Sequence, residues 1–151
     1  MSQDIDKNGR DEPQSHLDRH ELALWQALKK ISATTASVMR GEIGPGVSGA
    51  DFSVLSRIEE LGEQGQVLAQ SDLMKSLGWD KSRLSHQLTR MQERGLIERR
   101  RNGREAEVVL REAGRALLAS ARPKQVAIVK NYLSQLTEAE AEAMEALAAK
   151  L

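Results

Sequence analysis

The sequence predicts a mainly α-helical protein of the α+β class, and three observations lead to this prediction. Apolar residues recur at helical spacing in several segments of the 151-residue chain, which indicates amphipathic helices. Residues 96–110 instead have the pattern of two short strands joined at Asn102-Gly103, a strong hairpin signal. Between Ser71 and Leu110, a helix, a tight turn, a second helix and this basic hairpin follow one another, which is the order of parts in a winged helix-turn-helix.

The N-terminal part of the chain is predicted to be a tail followed by one long helix. Residues 1–14 hold few apolar side chains, so we expect a disordered polar tail. From residue 15 to residue 40 the pattern is helical, and Leu17, Leu24 and Leu28 lie close to a seven-residue repeat. A domain of this size cannot bury so long a helix alone, so we expect a partner chain to cover it.

A loop and a further helix are predicted next. Gly44-Pro45-Gly46 indicates a loop over residues 41–49. Ser48 and Asp51 have the spacing of a capping box, so we expect a helix to begin there. Its core-facing stripe consists of Phe52, Leu55, Ile58 and Leu61.

The helix-turn-helix follows. Its first helix is predicted over Asp72–Leu77, and Gly78 supplies the sharp turn. Asp80 is placed to cap the second helix through its side-chain oxygen, and the helix ends at Gly95. Three apolar residues of the second helix form one stripe, to which we assign only a packing role: Leu84, Leu88 and Met91.

The opposite face of the second helix has the composition of a helix that lies in a DNA major groove. It carries hydroxyls, a histidine and arginines, and arginine can bond guanine through two N–H groups. We predict base or groove contacts by Ser82, Arg83, Ser85, His86 and Arg90, and phosphate contacts by Lys81 and Arg94. The alternative is an ordinary helical hairpin with a solvated basic face, which does not require a basic hairpin directly after it.

The hairpin carries arginines at its tip and flanks. A two-stranded β wing of this kind is suited to lie along a phosphate backbone or to place one side chain in a minor groove. We predict that Arg104 enters the minor groove. We predict that Arg99 and Arg101 contact the DNA backbone and so position the wing on it.

Two amphipathic helices are predicted to end the chain. Pro123 removes a backbone donor, so we expect a kink or an interruption near Arg122. Thr137 and Glu140 have the spacing of a second capping box, which opens the last helix. Apolar residues for a partner surface in this region are Tyr132, Leu136, Met144 and Leu147.

The formal net charge is zero, but basic residues are concentrated in the predicted winged unit. Residues 1–66 hold 7 basic and 11 acidic side chains, whereas residues 81–104 hold 8 basic and 2 acidic ones. A localised positive surface on a neutral chain is typical of a protein that binds nucleic acid at one face, with an affinity that falls as salt rises.

Other classes of protein find little support. Cysteine is absent, and the sequence has neither a membrane-span-length apolar run nor a secretory signal, so we expect a cytoplasmic protein. No catalytic triad, phosphate loop or carboxylate pair stands out, so we expect neither enzyme activity nor a cofactor. His16 and His20 could share a metal on one helix face, but no third ligand is evident, and a surface pair is the interpretation we adopt.

The segment from Leu73 to Gly114 resembles the DNA-binding core of the MarR (multiple antibiotic resistance regulator) family, above all in LGWDKSRLSHQLTRMQERGLIERR. In the wing pattern of that family, Arg104 matches the arginine and Gly114 the final glycine. Two positions depart from the pattern: Asn102 stands where an aspartate is expected, and Arg111 where a threonine is expected. Loss of that threonine removes an N-cap of the following helix.

The resemblance implies a homodimer whose terminal helices interleave and which binds a pseudo-palindromic operator in double-stranded DNA, most often as a repressor. It also implies release by a small aromatic or phenolic ligand. The chain then divides into a tail (1–14), an N-terminal dimerisation helix and loop (15–47), a DNA-binding lobe (48–116) and C-terminal dimerisation helices (117–151). The alternatives are a dimeric winged-helix interaction module that does not bind DNA and a zinc-responsive regulator.

Overall fold

The computed structural model describes residues 16–38 and 40–151, and its helices follow one another in the predicted order. The helices are α1 (Arg19–Val38), α2 (Gly49–Leu61), α3 (Gln70–Leu77), α4 (Lys81–Glu93), α5 (Glu112–Leu133) and α6 (Glu138–Ala148). The strands are β1 (Glu42–Gly44), β2 (Val47–Ser48), β3 (Val67–Ala69), β4 (Ile97–Asn102) and β5 (Glu105–Leu110). The prediction of a mainly α-helical winged helix-turn-helix is therefore confirmed. The predicted tail, residues 1–14, lies outside the described residues.

Helix α1 begins with a reciprocal pair of hydrogen bonds. The Asp18 N–H donates to Glu21 Oε2 over 2.9 Å, and the Glu21 N–H donates to Asp18 Oδ1 over 2.8 Å. This arrangement satisfies N–H groups that have no partner within the helix. None of the described residues of α1 is buried.

The capping box at the start of α2 is confirmed. The Asp51 N–H donates to Ser48 Oγ, and the Ser48 N–H donates to Asp51 Oδ2. Helix α2 is the centre of the core, because it contacts α3, α4, α5 and β5. Its residues Val54, Leu55 and Ile58 are fully buried, and each such side chain stabilises the fold by about 1.5–3 kcal/mol.

The predicted loop after α1 contains two short antiparallel strands, β1 and β2, so that part of the prediction was wrong. The wing sheet also differs from the two-stranded prediction, since it has three antiparallel strands in the order β3-β5-β4. Strand β3 pairs with β5 through Val67↔Val109 and Leu68↔Val108. This third strand fastens the base of the wing next to α3.

The turn of the wing is displaced by one residue from the predicted position. Asn102 pairs with Glu105 at the end of the ladder, so Gly103 and Arg104 are the two central residues. Of these two, only Gly103 has a positive φ, at +62°. Asn102 belongs to strand β4, because it pairs with Glu105 in the ladder, and its side chain bonds to Glu107 across the hairpin.

Helix α5 continues through Pro123, so of the predicted kink or interruption near Arg122 the interruption does not occur. Its N-cap Arg111 makes no side-chain capping bond and instead pairs with Glu98. The predicted capping box of α6 is present, with Thr137 and Glu140 bonding each other's backbone N–H groups.

Candidate nucleic-acid interface

The two faces of α4 separate as predicted. Leu84, Leu88 and Met91 are fully buried in the core, and this packing fixes the rotation of the helix about its axis. The Arg83 N–H donates to Asp80 Oδ1 over 2.8 Å, which confirms Asp80 as the N-cap. The residues that α4 exposes include Lys81, Ser82, Arg83, His86 and Arg90, with Ser85 half-buried. This solvent-facing surface is polar and basic.

Trp79, in the turn between α3 and α4, supports the first turn of α4. The indole is half-buried and packs against the core, while the Arg83 guanidinium lies 4.0 Å from the ring centroid. A cation in this position is attracted to the ring, by about 0.5–1 kcal/mol at an exposed site. The contact restrains Arg83 at the start of α4.

A polar network links α2 to the buried side of α4. Asp51 is 4% exposed and Gln87 is 3% exposed, and they are the buried polar or charged residues among those described. The Gln87 Nε2 donates to Asp51 Oδ1 over 2.7 Å. The Arg90 Nη2 donates to Gln87 Oε1 over 2.6 Å. Through these bonds the charge of Asp51 is connected to an exposed arginine of α4.

Arg94 belongs to the same network. Its Nη1 lies 2.8 Å from Asp51 Oδ2, and its Nη2 donates to the carbonyl oxygen of Gly46 in the β1–β2 turn. The side chain is 39% exposed. Both terminal nitrogens of the Arg94 guanidinium therefore bond to the protein itself, although part of the side chain still faces solvent.

Arg99 connects the wing to α4. Its Nε donates to Gln92 Oε1 over 3.1 Å, and its Nη2 donates to Thr89 Oγ1 over 3.1 Å. The backbone N–H of Arg99 also donates to Gln92 Oε1. The base of the wing is thus attached to the exposed side of the helix.

Further along the wing, Arg100 and Asn102 both bond to the Glu107 carboxylate across the hairpin. The hydrogen bond from Asn102 and the one from Arg100 lower the pKa of Glu107 below its usual value of 4.5. The carboxylate is therefore ionised near neutral pH. Its charge-assisted hydrogen bond from Arg100 and its hydrogen bond from Asn102 fix the register of the hairpin.

The tip of the wing presents two further arginines. Arg101 Nη1 donates to the backbone carbonyl of Arg104 over 3.3 Å, and both side chains are exposed. An open cleft of about 490 Å³ separates α3 from the wing, and Lys81 and Arg104 are among its lining residues. One cation of α4, Lys81, and one of the wing, Arg104, thus line the same concave surface.

The predicted contact residues therefore lie on or directly after α4 and on the wing, and Arg99 links the two elements by its hydrogen bonds to Gln92 and Thr89. Sequence reasoning missed the supporting side chains Asp51, Gln87 and Gln92. A signal for Gln87 exists in the sequence, because it lies three residues after Leu84 and next to Leu88, on the buried stripe of the helix. A glutamine at such a position needs internal hydrogen-bond partners.

The residues predicted for dimerisation are largely exposed in this single chain. Among the predicted N-terminal dimerisation residues, the exposed fractions of Leu17, Leu24 and Leu28 are 54%, 54% and 42%. In the C-terminal helices, Tyr132, Met144 and Leu147 are exposed by similar fractions, and Leu136 is half-buried. No residue of α6 is buried. Among the described residues, the N-terminal segment and the C-terminal helices therefore expose apolar side chains.

Two general properties concern the described residues as a whole. His16 and His20 do not belong to any group of three or more potential metal ligands within the described part of the chain. Among the same residues, no helix is both long enough and apolar enough to span a membrane.

Comparisons with known proteins agree with this architecture. Residues 54–111 match the model of a domain of unknown function, DUF7343, and no curated protein matches the chain significantly. The structure is similar to that of AbsC, a MarR family transcriptional regulator from Streptomyces coelicolor, with 25% identity and a TM-score of 0.74 over 87% of this chain and 91% of that one.

Two further solved structures share the fold. A second MarR family regulator from Streptomyces coelicolor, in complex with DNA, has 20% identity and a TM-score of 0.76 over 91% of this chain and 88% of that one. The other is BpsR from Bordetella bronchiseptica, whose DNA binding is regulated by 6-hydroxynicotinic acid. It has 21% identity and a TM-score of 0.72 over 85% of this chain and 97% of that one. The chain therefore has the winged helix-turn-helix fold of the MarR family of transcriptional regulators.

Proposed function

We propose that the protein is a homodimeric, sequence-specific DNA-binding transcriptional regulator that acts as a repressor. The observation that carries the proposal is the surface on which α4 exposes Arg83, His86 and Arg90 beside an arginine-rich wing. Supporting it, one protein with the same fold is known in complex with DNA. The buried stripe of α4 leaves its polar face free to enter a major groove.

On α4, we assign base or groove contacts to Ser82, Arg83, Ser85, His86 and Arg90. Arginine can donate two bonds to guanine, and the imidazole of histidine can donate or accept. Lys81, at the start of the helix, is assigned to a phosphate. Arg94 would contact a phosphate only through N–H groups that are not committed to Asp51 and Gly46.

On the wing, we assign Arg104 to the minor groove, because it lies in the exposed turn. A narrow minor groove has an enhanced negative potential that attracts an inserted arginine. Arg99 and Arg101 are assigned to the DNA backbone. Their hydrogen bonds to Gln92, Thr89 and the Arg104 carbonyl restrain both side chains before DNA arrives.

A second copy of the chain is the partner that we propose for the exposed apolar faces of α1 and of α5–α6. A symmetric dimer would present two recognition helices to successive major grooves about 34 Å apart. The operator would then be a pseudo-palindrome with half-sites about one helical turn apart.

For regulation, a small aromatic or phenolic anion is the class of effector to test first. BpsR, which shares the fold, is described as regulated by 6-hydroxynicotinic acid. Such a ligand releases DNA only if it binds the non-binding conformation more tightly than the DNA-bound one. Since the proposed partner is the cell's DNA, we place the protein in the cytoplasm.

The test is fluorescence anisotropy with labelled DNA from directly upstream of the protein's own gene, with scrambled DNA as the control, across a salt series. We expect tight binding to the first DNA, one dimer per palindromic site, and an affinity that falls steeply with salt. Insertion of half a helical turn between the half-sites should abolish binding by the dimer.

If the protein prefers no sequence, even after selection from random DNA, the proposal is wrong. A winged-helix interaction module would behave in that way, and its activity would depend on the apolar end helices rather than on the basic face. A zinc-dependent change in DNA affinity would favour a role for His16 and His20 instead.

A further inference from the structure

The exposed guanidinium of Arg90 is held by a side chain that does not itself face solvent. Gln87 is 3% exposed, yet its Oε1 accepts a hydrogen bond from Arg90 Nη2 over 2.6 Å. The other end of the Gln87 amide donates to Asp51 Oδ1 over 2.7 Å. The long Arg90 side chain, which is itself one of the proposed base or groove contacts, is thereby attached to the core.

The chemistry of the two partners fixes the orientation of the Gln87 amide. A carboxylate only accepts hydrogen bonds, and a guanidinium only donates them. The amide NH₂ must therefore face Asp51 and the amide oxygen must face Arg90, because the flipped orientation would bring two acceptors together and two donors together. No alternative assignment of the amide satisfies both neighbours.

Asp51 is in turn fixed by three donors. Besides Gln87, its carboxylate accepts from the Ser48 N–H at 3.0 Å and from Arg94 Nη1 at 2.8 Å. The residue is 4% exposed, and a buried carboxylate needs such bonds to offset its loss of solvation. The Asp51 carboxylate is therefore held in place from two sides, by the N-cap of α2 and by side chains of α4 and its C-cap.

We propose that Asp51 and Gln87 are positioning residues for DNA recognition, which hold the Arg90 guanidinium in place before the operator binds. The proposal rests on the proposed function, since it concerns the same surface. An unrestrained arginine loses side-chain freedom when it contacts a base, and a restrained one has lost that freedom already. The pair thus contributes to operator affinity without touching DNA.

The test is a double-mutant cycle with Gln87→Met, Arg90→Ala and both together, on an operator selected from random DNA by the wild-type protein. Methionine has nearly the length of glutamine but cannot form either hydrogen bond. We expect Gln87→Met to weaken operator binding by about 2- to 10-fold and to leave binding to scrambled DNA unchanged, because the charge is unchanged.

The decisive readout is the coupling between the two positions. In the Arg90→Ala background, Gln87→Met should cause no further loss of operator affinity, because the side chain that it positions is gone. An equal loss in both backgrounds, or no loss in the wild-type background, would overturn the proposal. A purely structural role of Gln87 would weaken binding with or without Arg90.

Two controls address stability and chemistry. Gln66→Met makes the same change at an exposed residue outside α4 and outside the proposed dimer helices, and Ile58→Val perturbs the buried core of α2 without touching the network. Both should retain operator affinity at a temperature at which all variants are folded. If Ile58→Val loses as much affinity as Gln87→Met, the effect comes from stability and the proposal fails.

If Gln87→Met does not fold, the mobility of the Arg90 guanidinium can be measured in the wild-type protein instead. The guanidinium NMR signals of Arg90, identified by their loss in Arg90→Lys, should show slow rotation of the Nη groups in the DNA-free protein. Free rotation would overturn the proposal. Failure of the proposed function is recognised separately, because the wild-type protein would then select no preferred sequence.

Discussion

Arg104 is the residue at which the position of the wing turn matters most. It is the second central residue of the turn, next to Gly103, and it is exposed at one side of the cleft between α3 and the wing. Replacement by alanine should weaken operator binding by about 1–3 kcal/mol if the side chain makes a good DNA contact. Anisotropy titration at physiological salt measures the change.

Arg57→Ala is the matched control for Arg104→Ala. It removes the same charged group from α2, where Arg57 pairs only with the neighbouring Glu60 in the described contacts. Operator affinity should not change in this variant. Unchanged affinity in Arg104→Ala would show that the wing tip does not enter the minor groove.

Glu107 makes the stability of the wing dependent on pH. Asn102 and Arg100 bond to its carboxylate and lower its pKa below 4.5 in the folded protein. A lowered folded pKa means that the stabilisation is fully present above the unfolded pKa and is lost as the pH falls through the folded value. Glu107→Gln should therefore reduce the free energy of unfolding at pH 7, and the difference from wild type should shrink below about pH 4.5.

Urea unfolding at several pH values measures that difference. Glu105→Gln serves as the comparison, because it makes the same change at an exposed position of the same strand. A difference between Glu107→Gln and wild type that stays constant from pH 7 to pH 3 would contradict the assigned cause.

At the scale of the elements, Gly114 sets how closely α5 approaches the start of the wing. A Cβ atom at this position would lie 2.2 Å from the backbone oxygen of Leu96 and 3.1 Å from Leu55 Cδ2. Backbone atoms cannot yield as a flexible side chain can, so Gly114→Ala should destabilise the fold by about 1–3 kcal/mol. Chemical denaturation measures the loss.

Gly41→Ala provides the comparison for Gly114→Ala, because a Cβ atom at Gly41 would meet nothing within 4 Å. Its stability should stay within about 0.5 kcal/mol of wild type. Equal stability of Gly114→Ala and wild type would mean that α5 can shift away from Leu96 without cost.

The helices were predictable because their signals are local. The apolar stripe of α4 and the capping residues Ser48, Asp80 and Thr137 each lie within one element or next to it. Strand β3 was not predictable in this way, because its three residues are stabilised by pairing with β5, some 40 residues later. The shift of the wing turn has a different, local origin, since Asn102 pairs with Glu105 as the last residue of β4 and its side chain bonds Glu107 across the hairpin.

The proposed interface shows the same division between local and distant causes. The basic residues of α4 and the wing were predicted from composition and helical spacing. That Arg94 points to Asp51 and Gly46 could not be predicted, because those partners are 43 and 48 residues away in sequence. A residue type at the right spacing indicates a surface, whereas its partners depend on the tertiary fold.

At the scale of the whole molecule, a neutral chain combines one basic surface with apolar faces that its own core does not cover. Within the described residues, all of the fully buried apolar side chains lie between Ile43 and Ala121. Helices α1 and α6 contribute none of them. Such helices are stable in water mainly when packing covers their apolar side, which favours a second copy as the missing surface.

Met144→Glu combined with Leu147→Glu tests that proposal. The two side chains are 43% and 42% exposed in the single chain, so the change leaves the core intact. If a dimer buries them, their replacement by charged groups should weaken dimerisation by at least about 2 kcal/mol. Sedimentation equilibrium measures the dimer dissociation constant directly.

Leu61→Glu is the matched control, because Leu61 is 49% exposed but belongs to α2. It should leave the dimer dissociation constant unchanged. In the double variant, operator affinity should fall together with dimerisation, because two half-sites bound by linked copies gain from a high effective concentration that separate monomers lack. If dimerisation falls while operator affinity stays the same, then each protomer binds DNA independently and the paired half-site geometry is wrong. If neither changes, the apolar face of α6 is not part of the dimer contact.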